Sequence, residues 1–249
     1  MTLPSSIRSF RAKLRRSFAH RGLWGTLAYG PEFAAYLVKS LNPQRRRWNA
    51  EAARIQQAFD QAYHVDTAGI TQLSELEVVG QHRDLGHYYH GTDGAVFARM
   101  MQVLPIDHAA YTFVDFGSGK GKALLLASLL PFRHIVGVEF ALALHEVAVR
   151  NIASFTHPGQ QSQSLASVHL DATEFACPPT PLVVYFYNPF SEVVLSAILK
   201  NLQASLAAQP RDVWVCYCHP YAHAPLDAAD FLALAAETSQ YRIYRSKAP

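Results

Sequence analysis

The sequence predicts an α/β fold: a doubly wound, mostly parallel sheet with helices on both faces, preceded by an α-helical N-terminal extension. Three observations carry this expectation. Beyond residue 111, short apolar runs alternate with segments of helical period, the pattern of strands buried on both faces and joined by crossover helices. A glycine-rich turn follows the first apolar run, at the strand end where such sheets bind ligands. The 249 residues, 50% of them apolar, suffice for one large core and exclude a wholly disordered chain.

Residues 1–48 read as a basic arm. Ile7, Phe10, Leu14 and Phe18 fall at helical spacing, with Arg8, Arg11, Arg15 and Arg16 between them. Residues 1–54 hold eleven Lys and Arg against two acids, and residues 55–249 eleven against seventeen. The net charge of +3 thus conceals a basic arm and a mildly acidic body. A basic amphipathic helix suits an anionic partner, RNA or a membrane surface; it also resembles a mitochondrial presequence or a solvated cover. No apolar run reaches the ~18–20 residues of a membrane span, so no transmembrane segment is expected. Nor does an apolar signal-peptide core follow the arm's charges, and a soluble, cytoplasmic protein is the expectation.

Residues 49–104 read as a helical lead-in. Asn49 is placed as an N-cap, Glu51 falls in the first turn, and Ile55, Phe59 and Tyr63 make one apolar stripe that Asp66-Thr-Ala-Gly69 ends. Residues 80–94, rich in Gly, His and Tyr, read as a loop, and Ala95–Leu104 as a helix stopping before Pro105. In residues 105–249 the strands are Tyr111–Phe116, His134–Phe140, Ser167–Leu170, Leu182–Tyr187, Val213–Cys218 and Tyr241–Tyr244. The helices are Lys122–Leu130, Leu142–Ile152, Ser191–Leu206 and Ala228–Ala236. This leaves one strand after the fifth and an incomplete sheet edge.

The chemistry concentrates in Phe113-Val-Asp-Phe-Gly-Ser-Gly-Lys-Gly121, which ends a strand and opens a helix. Gly117, Gly119 and Gly121 allow a tight turn and close approach of a ligand to the backbone. A dinucleotide loop, G-x-G-x-x-G, would need glycine where Lys122 stands, and no P-loop frame fits. Glu139 ends the second strand, 22 residues after Gly117 and 18 after Gly121, where an acid accepts hydrogen bonds from ribose hydroxyls. Asp171 follows the third strand and equally suits an N-cap. Asn188-Pro-Phe190 closes the fourth strand, at the carboxyl edge where ligands bind in such sheets; a plain Asn-Pro turn is the other reading. Cys216, Cys218, His219 and His223 cluster in sequence without zinc spacing and, like His87 and His90, are read as no metal site. Cys177, Cys216 and Cys218 are three sparse cysteines, the usage of a reducing compartment.

The stretch Asp115-x-Gly117-x-Gly119-x-Gly121 resembles the acid-x-G-x-G-x-G loop of class I S-adenosylmethionine-dependent methyltransferases. That resemblance implies S-adenosyl-L-methionine as cofactor. It places Asp115 at the amino end of the cofactor's methionine, Glu139 at the ribose, and Asp171 with the Ala172 backbone at the adenine. Asn188-Pro-Phe190 resembles both the N-P-P-[YF] tetrad of amino-group methyltransferases and the N-N-F of non-SET (Dot-type) histone lysine methyltransferases, and matches neither fully. In both, the Asn positions a nitrogen nucleophile, which makes Asn188 the candidate catalytic residue. Tyr88-Tyr-His-Gly-Thr92 resembles a cofactor-covering loop of the same histone methyltransferases and suggests Tyr89 and Thr92. With Phe59-Asp-x-x-Tyr-x-x-Asp-Thr67, the region 59–220 is similar to bacterial class I methyltransferases of unassigned substrate.

Methyl transfer to a nitrogen is the expected activity, on a protein side chain, a nucleic acid or a small molecule. The alternatives are an NAD-dependent oxidoreductase and a non-catalytic cofactor-binding regulatory module.

Overall fold

The computed structural model describes residues 43–71, 89–187 and 190–247. The chain divides into two compact units, Met1–Arg54 and Ile55–Pro249. The helix expected over residues 7–18 lies outside the described residues. Helix α1 (Pro43–Tyr63) begins at a proline, whose fixed φ suits a first turn, so Asn49 lies inside the helix and is not its N-cap. Within the second unit the expected stripe shifts. Ile55 is 62% exposed, and Gln56 is the buried residue in line with Phe59 and Tyr63. Those two rings pack on Phe155 at centroid distances of 6.2 and 5.6 Å.

Two short strands, β1 (Ile70–Thr71) and β2 (Tyr89–His90), pair antiparallel. The main sheet has seven strands: β3 (Thr112–Phe116), β4 (His134–Glu139), β5 (Leu165–His169), β6 (Leu182–Tyr187), β7 (Val213–Cys218), β8 (Leu232–Glu237) and β9 (Tyr241–Ser246). Their order is β5-β4-β3-β6-β7-β9-β8. The first five are parallel, and β9 inserts antiparallel between β7 and β8. From β3 the chain winds one way to β4 and β5, then the other way from β6 to β7. The carboxyl ends of β3 and β6 therefore flank the switch point, where a crevice opens in doubly wound sheets.

Helices cover both faces. On one, α2 (Gly94–Gln102) and α3 (Lys122–Ala127) bury Val96, Phe97, Met100 and Leu124 against Phe113, Ile135, Tyr185 and Cys216. Cys216 and Cys218 are thus buried strand residues. On the other, α5 (Glu192–Ala208) buries Val194, Leu195, Ile198, Leu199 and Leu202 against Val114, Phe116, Val184 and Phe186. Helix α4 (Leu142–Ser154) lies against β4 and β5.

The sheet edge differs from the sequence expectation. Residues 228–236, rich in Ala and Leu, have high helix propensity, yet only the one-turn α6 (Ala224–Asp227) is helical, and Leu232–Glu237 is strand β8. Backbone pairing with β9 outweighs a propensity worth only tenths of a kcal/mol per residue. A register shift between Leu234 and Ala236 marks the bulge that accommodates it. Beside it, Asp212 pins β7 to β9, accepting hydrogen bonds from Tyr111 Oη (2.6 Å), Trp214 Nε1 (2.9 Å) and Arg245 Nε (2.8 Å).

Gly137, opposite Asp115 in the β3–β4 register, sets how closely the glycine turn and α3 approach the sheet. A Cβ there would come within 2.6 Å of Ser118 Oγ and 2.7 Å of both Ser118 Cβ and Leu124 Cδ1. Gly137→Ala is expected to destabilise the fold by about 1–3 kcal/mol, the usual cost of overpacking, in urea unfolding. An unchanged midpoint would contradict this packing.

Candidate active site

The turn after β3 favours glycine at all three positions. Gly117, Gly119 and Gly121 have φ of 77°, 54° and 83°, the left-handed region that side chains disfavour. Gly121 is also the N-cap of α3 and supplies no side-chain cap. The turn is tied to β4: the N–H groups of Gly117 and Ser118 donate to the Val138 carbonyl at 2.9 and 3.1 Å.

Two acids sit against this turn. Glu139 is 3% exposed; its Oε2 accepts the Gly119 N–H at 2.7 Å and its Oε1 the Ala141 N–H at 2.8 Å. Burial raises its carboxyl from 4.5 to about 7, although these backbone donors oppose the shift. Asp115, also 3% exposed, is pushed well above the usual carboxylate range by burial and, secondarily, by Glu139. Neighbouring buried acids of this kind make a place for a ligand that brings positive charge or hydroxyl donors. Each carboxylate oxygen of Glu139 keeps a second lone pair for such a donor.

A cleft, partly open to solvent, adjoins them, lined by Gly117, Val138, Phe140, Leu170, Asp171, Ala172, Phe190 and Val194. Its walls are apolar apart from Asp171, which suits a flat aromatic base with one polar edge. Asp171 is buried and caps the 3-10 turn Ala172–Glu174, accepting the Thr173 N–H at 2.9 Å. Cap and cleft wall are thus both true of it. Phe140, Leu170 and Val194 escaped the sequence reading, because an apolar residue lining a cleft looks like any core residue. Only the position of Phe140 after Glu139 could have flagged it.

Thr92 is buried just before α2, whose N-cap Asp93 accepts the Ala95 and Val96 N–H groups. Tyr89 lies in β2 by its backbone. Asn188 and Pro189 lie outside the described residues; Phe190, next along the chain, is in the cleft wall. Tyr187, at the end of β6, meets the His219 ring edge-on at 5.3 Å. His219 follows β7 with a left-handed φ of 49°.

Residues 59–68 form a cap on the turn. Asp60 accepts the Thr67 N–H (2.8 Å), the Thr67 hydroxyl (2.5 Å) and the Ala68 N–H (2.7 Å), closing the chain after α1 into a tight loop. Lys120 of the glycine turn donates to Asp66 Oδ1 at 2.6 Å and to the Ala68 carbonyl at 3.1 Å. Asn151 of α4 donates to the carbonyls of Asp66 and Lys120 and accepts the Asp66 N–H at 2.8 Å. Gln56 donates to the Gly91 carbonyl at 3.0 Å. Nothing in the sequence marks Asn151, a lone polar residue inside a helix. Among the described residues no group of three or more His, Cys, Asp and Glu is placed to hold a metal ion, and no helix is long and apolar enough to cross a membrane.

No protein-family model matches the chain, and no curated protein matches it in sequence. Solved structures resemble it in fold. The 23S rRNA methyltransferase ErmE aligns at TM-score 0.44 and 13% identity over 64% of this chain and 69% of its own. Magnesium protoporphyrin IX methyltransferase (ChlM) from Synechocystis PCC 6803, solved with bound SAM, aligns at 0.42 and 12% over 62% of this chain and 77% of its own. A predicted N6-adenine-specific DNA methylase from Listeria monocytogenes aligns at 0.47 and 13% over 64% of this chain and 52% of its own.

A buried acid with a raised pKa keeps its proton in the fold while the unfolded chain loses it. Stability attributable to Glu139 is therefore fully present below pH 4.5 and declines as pH rises to about 7. Relative to Glu139→Gln, the wild type is expected to lose about 3 kcal/mol of unfolding free energy across that window. Parallel stability–pH profiles of the two proteins would show that Glu139 is not buried as described.

Proposed function

We propose that this chain is an S-adenosylmethionine-dependent methyltransferase acting on a nitrogen. The observation that carries the reading is the buried pair Asp115 and Glu139 around the three-glycine turn at the sheet's switch point, next to an apolar cleft ending in Asp171. The donor set fits this cofactor: a carboxylate for its ammonium, one for its ribose hydroxyls, and one beside apolar walls for its adenine.

When bound, the cofactor supplies a methyl group on a sulfonium. Asp115 would hold the amino end and Glu139 the ribose. Asp171 and Ala172 would border the adenine between Phe140 and Leu170, and Thr92 and Tyr89 would cover the methionine end. The electrophile needs no activation, so the chain's task is to align the acceptor and exclude water. Asn188 would accept a hydrogen bond from the attacking amine and leave its lone pair free, with Phe190 as an apolar wall. The acceptor is a protein side chain, a nucleic-acid base or a small amine. A basic arm over 1–48, a lead-in over 49–104 and a catalytic domain over 105–249 complete this reading. The arm would meet an anionic partner such as RNA or a membrane surface, and the setting would be cytoplasmic.

S-adenosylhomocysteine at ~100 times its Kd is expected to stabilise the protein by about 2.7 kcal/mol in thermal unfolding, with NAD inert. The opposite ranking would favour an oxidoreductase. Asn188→Ala should retain this shift yet lose labelling of acceptors in lysate by radioactive cofactor. Retained labelling would remove Asn188 from the chemistry, and a wild type that binds without labelling anything would mark a non-catalytic module. An amine attacks only when neutral, so the chemical step is expected to speed up with pH below the amine's pKa. A rate that stays flat over about pH 6–9 would count against amine methylation.

A further inference from the structure

Lys122, the first residue of α3, is a buried cation that the proposed reaction does not use. It is 4% exposed, and its ammonium sits 4.7 Å from the centroid of the Phe59 ring. Among the described residues no carboxylate lies within ion-pair distance of its Nζ. The two acids that influence it, Asp60 and Asp93, are committed elsewhere: Asp60 to the Thr67 and Ala68 N–H groups, Asp93 to those of Ala95 and Val96. Lys120, its neighbour in the turn, is bound to Asp66 and the Ala68 carbonyl. A buried ammonium with no anion in contact is costly, and a fold that keeps one beside a ligand site has an anion to receive.

The place of Lys122 says which anion. It directly follows Gly121, and its Cδ lies 3.5 Å from where a Cβ on Gly91 would be, so its stem runs beside the segment that carries Thr92. Of the turn's residues it is Gly117, at the other end, that lines the cleft with Asp171. The cofactor's amino-acid tail carries both an ammonium and a carboxylate. Asp115 and Glu139 offer negative charge at the start of the turn, and Lys122, directly after its last glycine, offers a buried cation. We propose that Lys122 binds the α-carboxylate of the cofactor's methionine and so selects ligands that carry an intact amino-acid end. The assignment rests on the cofactor reading above. Burial lowers the lysine's pKa, and an arriving carboxylate restores the charged form. The Phe59 ring backs the ammonium from the cap side, leaving its donors for the ligand.

A purely structural Lys122, holding the cap through Phe59, would affect stability and leave ligand preference alone. The test compares S-adenosylhomocysteine with its decarboxylated analogue S-adenosyl-3-thiopropylamine, which keeps the ammonium and lacks the carboxylate, by titration calorimetry of the full chain. Wild type is expected to prefer S-adenosylhomocysteine by roughly tenfold or more, the scale of a charge-assisted hydrogen bond. Lys122→Met should reduce that preference to within about twofold, and Lys122→Arg should keep most of it. Equal affinity of the wild type for the two ligands overturns the proposal whether or not the variants fold, and so does a Lys122→Met protein that retains the preference. A wild type that binds neither ligand overturns the cofactor reading instead.

Discussion

The site depends on one buried carboxylate placed between two backbone amides. Glu139 accepts the N–H of Gly119 from the turn after β3 and the N–H of Ala141 from the start of the chain leaving β4. These two hydrogen bonds fix the glycine turn against the neighbouring strand and, with the Val138 carbonyl, determine where the turn's left-handed residues sit. Without that anchor the three glycines would be a flexible turn, since glycine gives up the most conformational freedom when ordered. The carboxylate is held by the fold at the cost of burial, which is why its proton affinity rises. A ligand that donates hydroxyls to it shifts the group back toward its ionised form, so binding and deprotonation support one another.

The cap adds a second constraint. Asp60 folds the chain after α1 into a loop, and Lys120 and Asn151 fasten that loop to the turn and to α4. Asn151 satisfies groups of both the loop and the turn with one side chain, so the loop cannot move off without leaving buried polar groups unpaired. The turn is therefore gripped from two sides, by Glu139 beneath and Asn151 beside it. The cleft on the Asp171 side is built differently, from apolar packing around one acid. Polar ends are fixed by hydrogen bonds, and the flat middle by shape.

What the sequence made legible follows from which signals are local. The strand–turn–helix at 113–121 and the acid at 139 could be read because the chemistry constrains neighbouring residues: φ values of 77°, 54° and 83° at three alternate positions favour glycine at each. Both faces of the central parallel strands β3, β6 and β7 are buried, so unbroken apolar runs such as Leu182–Tyr187 were plain. Strand β8 was not legible, because its run of Ala and Leu carries helix propensity, its edge position exposes Ala233 and Leu234, and its pairing partner lies beyond the turn that follows it. The stripe on α1 was misplaced for a related reason. Gln56 is buried because its amide reaches the Gly91 carbonyl, a contact 35 residues away that no periodicity encodes, while Ile55 beside it stays exposed.

The same physics separates the two halves of the site. The groups proposed to face the cofactor lie at the ends of β3, β4 and β5, where strand register places Asp115 opposite Gly137 and Glu139 opposite His169, and a one-residue slip would turn each acid to the other face. Their positions are consequences of the sheet. Beyond β6 and β7 the chain leaves the register: Tyr187 and Cys218 are the last paired residues, and His219 at once takes a left-handed φ of 49° with its ring against Tyr187. Groups there are set by loop contacts, which vary from chain to chain without disturbing the sheet. The sheet thus dictates the groups around the glycine turn and leaves those beyond β6 and β7 to side chains the fold does not dictate.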